Sequence, residues 1–250
     1  MVGRGWRLDG RVALVSGASA GLGAQFARAL HAAGARVVVT ARRGEALEAL
    51  RAECGERIDP VTADLGDAEG RSIIADHLQR YDQLDVLVNN AGVCDDGPLE
   101  EQTLDELRHI VEINLVAVLD LSRLLAPLLF NASSASVINI ASMYGVVASR
   151  GPMAGYNSTK GAIVNLTRHL AAQWGSRGVR VNALAPGYFP SEMTGQLSDP
   201  DFAASIRART LLERTPELTE LDGPLLFLAS DASSYMTGQT LVIDGGWTAI

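Results

Sequence analysis

Seven short apolar runs, separated by longer stretches with helical spacing, decide what this chain can fold into. The runs fall at 12–16, 36–40, 58–63, 84–89, 136–141, 179–184 and 240–243. Most are rich in Val, Ile or Leu and too short to be helices. Helix-like patterns lie near 21–33, 44–54, 67–80, 103–130, 155–176 and 217–230. A strand covered on both faces reads as an unbroken apolar run, because each parallel crossover lays a helix over the sheet. The alternation predicts an α/β fold: a doubly wound parallel sheet of about seven strands, helices on both faces, right-handed crossovers. Ligands of such a sheet bind outside the carboxyl ends of the strands, where strand order reverses.

No internal repeat, low-complexity tract or Pro/Ser linker divides the chain, so one domain spanning residues 1–250 is expected. A chain of this length buries roughly 70–75% of its unfolded surface and needs no disulfide or metal staple. With 47% apolar and 20% charged residues it is not a disordered chain. Its net charge of −8 argues against nucleic acid or an anionic membrane as partner, since phosphates call for a basic face. Cys54 and Cys94 lack partners at metal-ligand spacing and read as reduced thiols. Cys94 reads as a small buried residue. Residues 1–10 hold no apolar signal segment. The greasiest stretch, 113–130, is interrupted by Asn114, Asp120 and Arg123 and reads as a buried helix. A cytoplasmic protein is expected.

The first strand runs into Ser16-Gly17-Ala18-Ser19-Ala20-Gly21-Leu22-Gly23, and a helix pattern follows at once. Glycines there allow a tight turn, close backbone approach to a pyrophosphate and close helix–strand packing. The helix N-terminus adds free N–H groups and partial positive charge. The spacing is Gly-x3-Gly-x-Gly rather than the usual dinucleotide fingerprint. Gly17, Ser19, Gly21, Leu22 and Gly23 are the candidate contacts. At the end of the second strand an acid would favour NAD, whereas Ala41-Arg42-Arg43 offers none. Arg42 presents a planar fork suited to a 2′-phosphate, which favours NADP(H) over NAD(H). The alternative is that Arg42 and Arg43 are solvated charges opening a helix.

Tyr156-Asn157-Ser158-Thr159-Lys160 opens the fifth helical pattern. Residues four apart share a helix face, so phenol and ammonium point the same way. A neighbouring cation lowers a phenol's pKa and fits it for proton transfer near neutral pH. Lys160 is the only lysine in a chain whose other basic residues are arginines.

Together these segments resemble the short-chain dehydrogenase/reductase family in its single-domain branch, over roughly residues 8 to 247. That resemblance implies a Rossmann-like fold and further assignments. Asp64-Leu65 is similar to the pair that meets the adenine. Asn89-Asn90-Ala91-Gly92 is similar to the motif that steadies the sheet beside the cofactor, with Asn90, Ala91 and Gly92 near it. Asn114, Ser142, Tyr156 and Lys160 match the catalytic set, and Tyr156 and Lys160 also touch the cofactor. Pro186-Gly187 matches the turn beside the nicotinamide. Ser191 stands where the family often has a Thr on the carboxamide, and Thr194 is also near. Two departures are visible: Ser16 replaces the more usual Thr, and Ser142 and Tyr156 are fourteen residues apart where thirteen is commoner.

The implied reaction is hydride transfer between a nicotinamide cofactor and a secondary alcohol or ketone. Tyr156 is the general acid or base, and Ser142 stabilises the developing oxyanion. Lys160 lowers the Tyr156 pKa and holds the ribose. Asn114 distorts its helix and holds a relay water. No His/Asp/Glu cluster is spaced for a metal. The segment 188–210 lies where the family places its substrate lid. Tyr144, Val146, Val147, Met153, Tyr188, Phe189 and Met193 are expected to line a moderately apolar pocket for a small-molecule substrate. One alternative is a 3-oxoacyl-carrier-protein reductase. Its acidic partner would need a basic surface, and 127–136, expected to flank the entrance, has no Lys or Arg. The other is a non-catalytic NADP(H)-sensing regulator, which would not need the intact Ser142–Tyr156–Lys160 set. Family habit implies a homo-oligomer, dimer or tetramer.

Overall fold

The computed structural model describes residues 5–95 and 97–250. Among them, β1 (Val12–Ser16), β2 (Arg36–Ala41), β3 (Ile58–Thr62), β4 (Val86–Asn89), β5 (Ala135–Ile140), β6 (Val179–Pro186) and β7 (Thr240–Ile243) form one sheet. Its order is β3-β2-β1-β4-β5-β6-β7, and the paired strands run parallel. The expected doubly wound sheet is therefore the observed one. β4 starts later than expected. Leu84 N–H donates to the Leu128 carbonyl and so leaves the sheet, whereas Asp85 still bonds Val12 and Ser136 through its backbone and takes Val12 N–H on its carboxylate just ahead of the strand.

Alternate strand residues face opposite layers, as the pleat requires. Ala13, Val15, Val37, Val39 and Val88 meet Phe26 and Leu30 of α1 (Gly21–Ala32), Leu47 of α2 (Gly44–Cys54), and Leu225 and Leu228 of α8 (Asp222–Ala229). Leu14, Val38, Leu87 and Val137 meet α3 (Ala68–Leu78), α5 (Ala117–Asn131) and α6 (Ala154–Trp174) through Ile74, Leu125 and Leu170. Each of these Val, Leu, Ile and Phe side chains contributes about 1.5–3 kcal/mol on burial. The helical pattern expected over 217–230 divides into a 3₁₀ turn, Leu218–Leu221, followed by α8.

The pattern expected over 103–130 is interrupted by a bulge. α4 (Leu104–Val111) passes into a π-helical turn, Glu112–Val116, before α5 begins. The run Leu104–Asn131 is long and apolar enough to cross a membrane by length and composition, but half of its most apolar window is buried inside the protein. One further helix, α7 (Pro200–Arg209), lies in the segment read as a lid. Its N-cap Asp199 accepts from Asp201 N–H, and Pro200 suits the first helical position.

Several polar groups buried in the sheet bond one another, though Asn89 Oδ1 and Thr40 Oγ1 have no hydrogen-bond partner among the described residues. Asn89 Nδ2 donates to Asn139 Oδ1 at 2.9 Å and to Ser122 Oγ at 3.2 Å. Asn139 Nδ2 donates to Thr167 Oγ1 at 3.0 Å. This chain ties β4 and β5 to α5 and α6. Asn139→Ala removes a partner from both Asn89 and Thr167 in the dry interior. A loss of about 2–3 kcal/mol is expected, read from urea unfolding with unchanged m-value.

Candidate active site

β1 and β4 are neighbours, yet the chain leaves β1 for α1 on one face and leaves β4 for α4 and α5 on the other. A cleft of about 440 Å³ opens between them at the carboxyl ends of the strands. Gly17, Ser19, Gly21, Leu22, Gly23, Arg42, Asp64, Leu65, Asn90, Ala91, Gly92, Pro186, Gly187 and Ser191 all line it, as do Ser142, Tyr156 and Lys160. Asn114 lies buried beneath.

The glycine turn is closed by close backbone approach. Gly17 has φ +67°, and a Cβ there would stand 2.8 Å from Ala91 Cα. A Cβ on Gly23 would overlap the Gly17 carbonyl oxygen and lie 2.5 Å from Asn90 Nδ2. Ser16, the residue noted in place of Thr, accepts at Oγ from the N–H groups of Asn90 (2.9 Å) and Ala91 (3.1 Å). Asn90 Nδ2 returns a bond to the Ser16 carbonyl at 2.8 Å. Ala20, the N-cap of α1, has no side-chain acceptor, and the first turn holds no acid, so its amides face the cleft without an internal counter-charge. This glycine cradle and bare helix N-terminus fit a dinucleotide pyrophosphate.

At one end of the cleft Arg42 is exposed, and its guanidinium has no hydrogen-bond or ion-pair partner among the described residues. Arg43 is engaged. It donates to Ser19 Oγ at 3.0 and 3.2 Å and forks onto Glu192 at 2.8 and 2.9 Å. Its partner Glu192 carried no sequence signal, because nothing local relates residue 43 to residue 192. Ser191 sits directly over the glycine turn; a Cβ on Gly21 would meet its Cβ at 3.2 Å. Thr194 also lines the cleft, but its hydroxyl donates to the Phe189 carbonyl at 2.6 Å.

At the other end the four residues of the expected catalytic set converge. Ser142 and Tyr156 both line the floor of the cleft, and Ser142 Oγ accepts from Tyr144 N–H at 3.1 Å. Lys160 Nζ donates to the Ile140 carbonyl at 2.7 Å and lies 5.6 Å from the Tyr156 ring centroid. Asn114, in the π-turn, grips Val93 at both backbone groups: Oδ1 accepts its N–H and Nδ2 donates to its carbonyl, each at 2.8 Å. Nδ2 also donates to Thr159 Oγ1 at 3.1 Å. An aromatic wall stands beside Ser142, where the Tyr144 and Tyr188 hydroxyls bond at 3.2 Å and both rings pack on Trp247.

Three expectations are corrected. The Tyr156 phenol is pushed up to about 12, not down. Burial outweighs the lowering influence of the nearby Ser142 hydroxyl, and Lys160 is itself driven down to about 8 by burial, its Nζ bonded to a carbonyl rather than to the phenol. Cys94 is exposed, not buried, because the loop after β4 turns outward there. Residues 127–136 lie at the opposite end of the sheet from the cleft, since β5 runs from Ala135 towards Ile140 and Ser142. Their lack of basic residues therefore says nothing about the entrance.

A dinucleotide cleft at the strand switch, with a hydroxyl pair and a buried amine at its floor, defines a nicotinamide-type oxidoreductase. Residues 17–248 match the family described as enoyl-(acyl carrier protein) reductase. Galactitol 2-dehydrogenase (L-tagatose-forming) of Cereibacter sphaeroides is 36% identical over 246 residues, covering 97% of each chain. A 3-oxoacyl-[acyl-carrier-protein] reductase of Synechocystis sp. is 37% identical over 246 residues, 96% of this chain and 97% of its own. The crystal structure of a gluconate 5-dehydrogenase from Burkholderia cenocepacia J2315, in complex with NADP and tartrate, shares 35% identity and a TM-score of 0.92, covering 98% of each chain. The chain belongs to the short-chain dehydrogenase/reductase family and is an NAD(P)-dependent oxidoreductase.

Burial of Lys160 makes stability pH-dependent. Below pH 8 the folded and unfolded chains both carry its charge, and the folded chain bears the desolvation penalty. Between about 8 and 10.5 only the unfolded chain stays protonated, so stability rises through that window. Lys160→Met is expected to resist urea better than wild type at pH 7, by at most about 3 kcal/mol less the cost of the Ile140 carbonyl left without its donor. The difference should shrink as pH rises from 8 towards 10.

Proposed function

We propose that this chain interconverts a secondary alcohol and a ketone with NADP(H), Tyr156 moving the proton. One observation carries the reading: the Ser142–Tyr156 hydroxyl pair and Lys160 share a single cleft with the glycine cradle. A nicotinamide cofactor held along the glycine cradle, Asn90 and Lys160 would supply or accept the hydride. Ser142 and Tyr156 together face the position of a carbonyl oxygen. With its phenol near 12, Tyr156 is protonated across the neutral range and serves as the donor in reduction. Ser142 holds the same oxygen as negative charge develops. Lys160, cationic below about pH 8, stabilises the phenolate left behind. Asn114 holds the Val93 loop and Thr159 in place with its side-chain amide.

NADP(H) is favoured over NAD(H) because Arg42 presents an uncommitted fork at the rim and Arg43 stands beside it on Ser19. Polyols and sugar acids are the favoured substrates. The Tyr144 and Tyr188 hydroxyls supply polar contacts beside the reacting pair, and the relatives named for galactitol and gluconate oxidation support the same class. Reduction of a 3-oxoacyl carrier protein is the second reading, supported by the 37% identical Synechocystis enzyme.

Absorbance at the reduced-nicotinamide band separates these readings, using galactitol, gluconate and a 3-oxoacyl thioester with each cofactor. Tight NADPH binding without turnover across the panel would instead mark a sensor. Tyr156→Phe is expected to lower kcat about a hundredfold or more with NADPH affinity unchanged. Arg42→Ala should weaken NADPH binding about tenfold, through loss of a charge-assisted fork, and leave NADH binding within twofold. Equal losses for both cofactors in a fluorescence titration would remove the 2′-phosphate assignment.

A further inference from the structure

The N-terminus of α6 carries Tyr156 in its first turn, yet its own sequence does not cap it. Met153 at the N-cap offers no acceptor oxygen, and Ala154, Gly155, Tyr156 and Asn157 include no acid. The acceptor comes from Asp95, in the loop after β4. Its side chain is buried, with 8% of the residue exposed. Oδ1 accepts the Tyr156 N–H at 2.9 Å, and Oδ2 accepts the Gly155 N–H at 2.8 Å. Gln102 orients the carboxylate, with Nε2 donating to Oδ2 at 3.1 Å and to the Gly97 carbonyl at 3.2 Å.

Two further observations show that this contact is built in. A Cβ on Gly155 would lie 3.0 Å from Asp95 Oδ2 and 3.2 Å from Ile110 Cδ1, so a side chain there would crowd the carboxylate. The other end of the Tyr156 backbone is held from the same loop. Its carbonyl accepts from Thr159 Oγ1 at 2.8 Å, Thr159 Oγ1 accepts from Asn114 Nδ2, and Asn114 grips Val93. Val93 and Asp95 are two residues apart. Both backbone groups of Tyr156 are thus tied to one short segment of the cleft wall.

We propose that Asp95 is a positioning residue for proton transfer, capping α6 from outside the helix and setting the Tyr156 phenol against Ser142. A carboxylate suits this role because it accepts two N–H bonds at once and complements the positive end of the helix. The proposal rests on the reading that Tyr156 carries the proton, and the test separates the two.

The experiment is a double-mutant cycle on the purified enzyme, assayed with whichever substrate of the panel turns over fastest. Asp95→Ala is expected to lower kcat about tenfold with NADPH affinity within twofold of wild type. In the Tyr156→Phe background the same substitution should change residual turnover by less than twofold, because the group it positions is gone. A loss of equal size in both backgrounds, or wild-type kcat in Asp95→Ala whatever its melting temperature, overturns the proposal. If Asp95→Ala does not fold, Asp95→Asn carries the test; it keeps one acceptor and sets an NH₂ against an N–H. If Tyr156→Phe alone keeps full turnover, the proton-transfer reading fails instead.

Discussion

Neighbouring parallel strands whose chains depart to opposite faces of a sheet leave a gap that no side chain of either strand fills. Between β1 and β4 that gap becomes the cleft, and its width is set by how closely two backbones approach. Gly17 and Gly23 let the first turn lie against Ala91 and Asn90, and Ser16 and Asn90 hydrogen-bond across the seam. A side chain larger than hydrogen at either glycine would drive the two loops apart. The amides of α1 would then no longer face the space that an anionic ligand must enter. The rest of the site is hung on this seam, because the loop that meets the turn also reaches Asn114 and α6.

Burial at the floor of the cleft has two consequences at once. It keeps the Tyr156 phenol protonated, which suits a proton donor, and it penalises the Lys160 cation, which opposes folding. A protein selected only for stability would not place its one lysine there. Groups poised for chemistry commonly sit in environments that disfavour them, and the surrounding fold must supply the difference. Here two apolar layers and the Asn89–Asn139–Thr167 chain hold β4, β5 and α6 in register around the pair.

The bulge at Asn114 belongs to the same design. A regular helix from residue 104 to 131 would leave its amides and carbonyls paired along the axis. The π-turn instead widens the helix where Asn114 faces the loop after β4, and the side-chain amide takes both backbone groups of Val93. The loop after β4 is tied to elements outside it: Val93 bonds Asn114 of the π-turn, and Asp95 bonds two amides of α6.

The alternation of strands and helices, the glycine turn and the Tyr–Lys pair were legible in the sequence through local spacing: period two against period 3.6, glycine at a turn, side chains four apart on a helix. The other cleft residues, Asp64, Asn90, Ser142 and Pro186 among them, were reached only through the family resemblance. Helix α7 was missed although Asp199 and Pro200 mark its start, because the Pro, Gly and Asp content of 188–210 reads as loop. The exposure of Cys94, the pairing of Arg43 with Glu192 and the capping of α6 by Asp95 were equally hidden. Each joins residues far apart in the chain or follows from which way a loop turns. The direction of the Tyr156 shift was misread for a related reason. Spacing tells which charges share a helix face, but desolvation depends on everything packed around them. The sequence by itself therefore determined the fold class and the chemical groups of the site. Only the tertiary structure decided their protonation, their partners and the backbone contacts that aim them, because those are set by three-dimensional burial and not by distance along the chain.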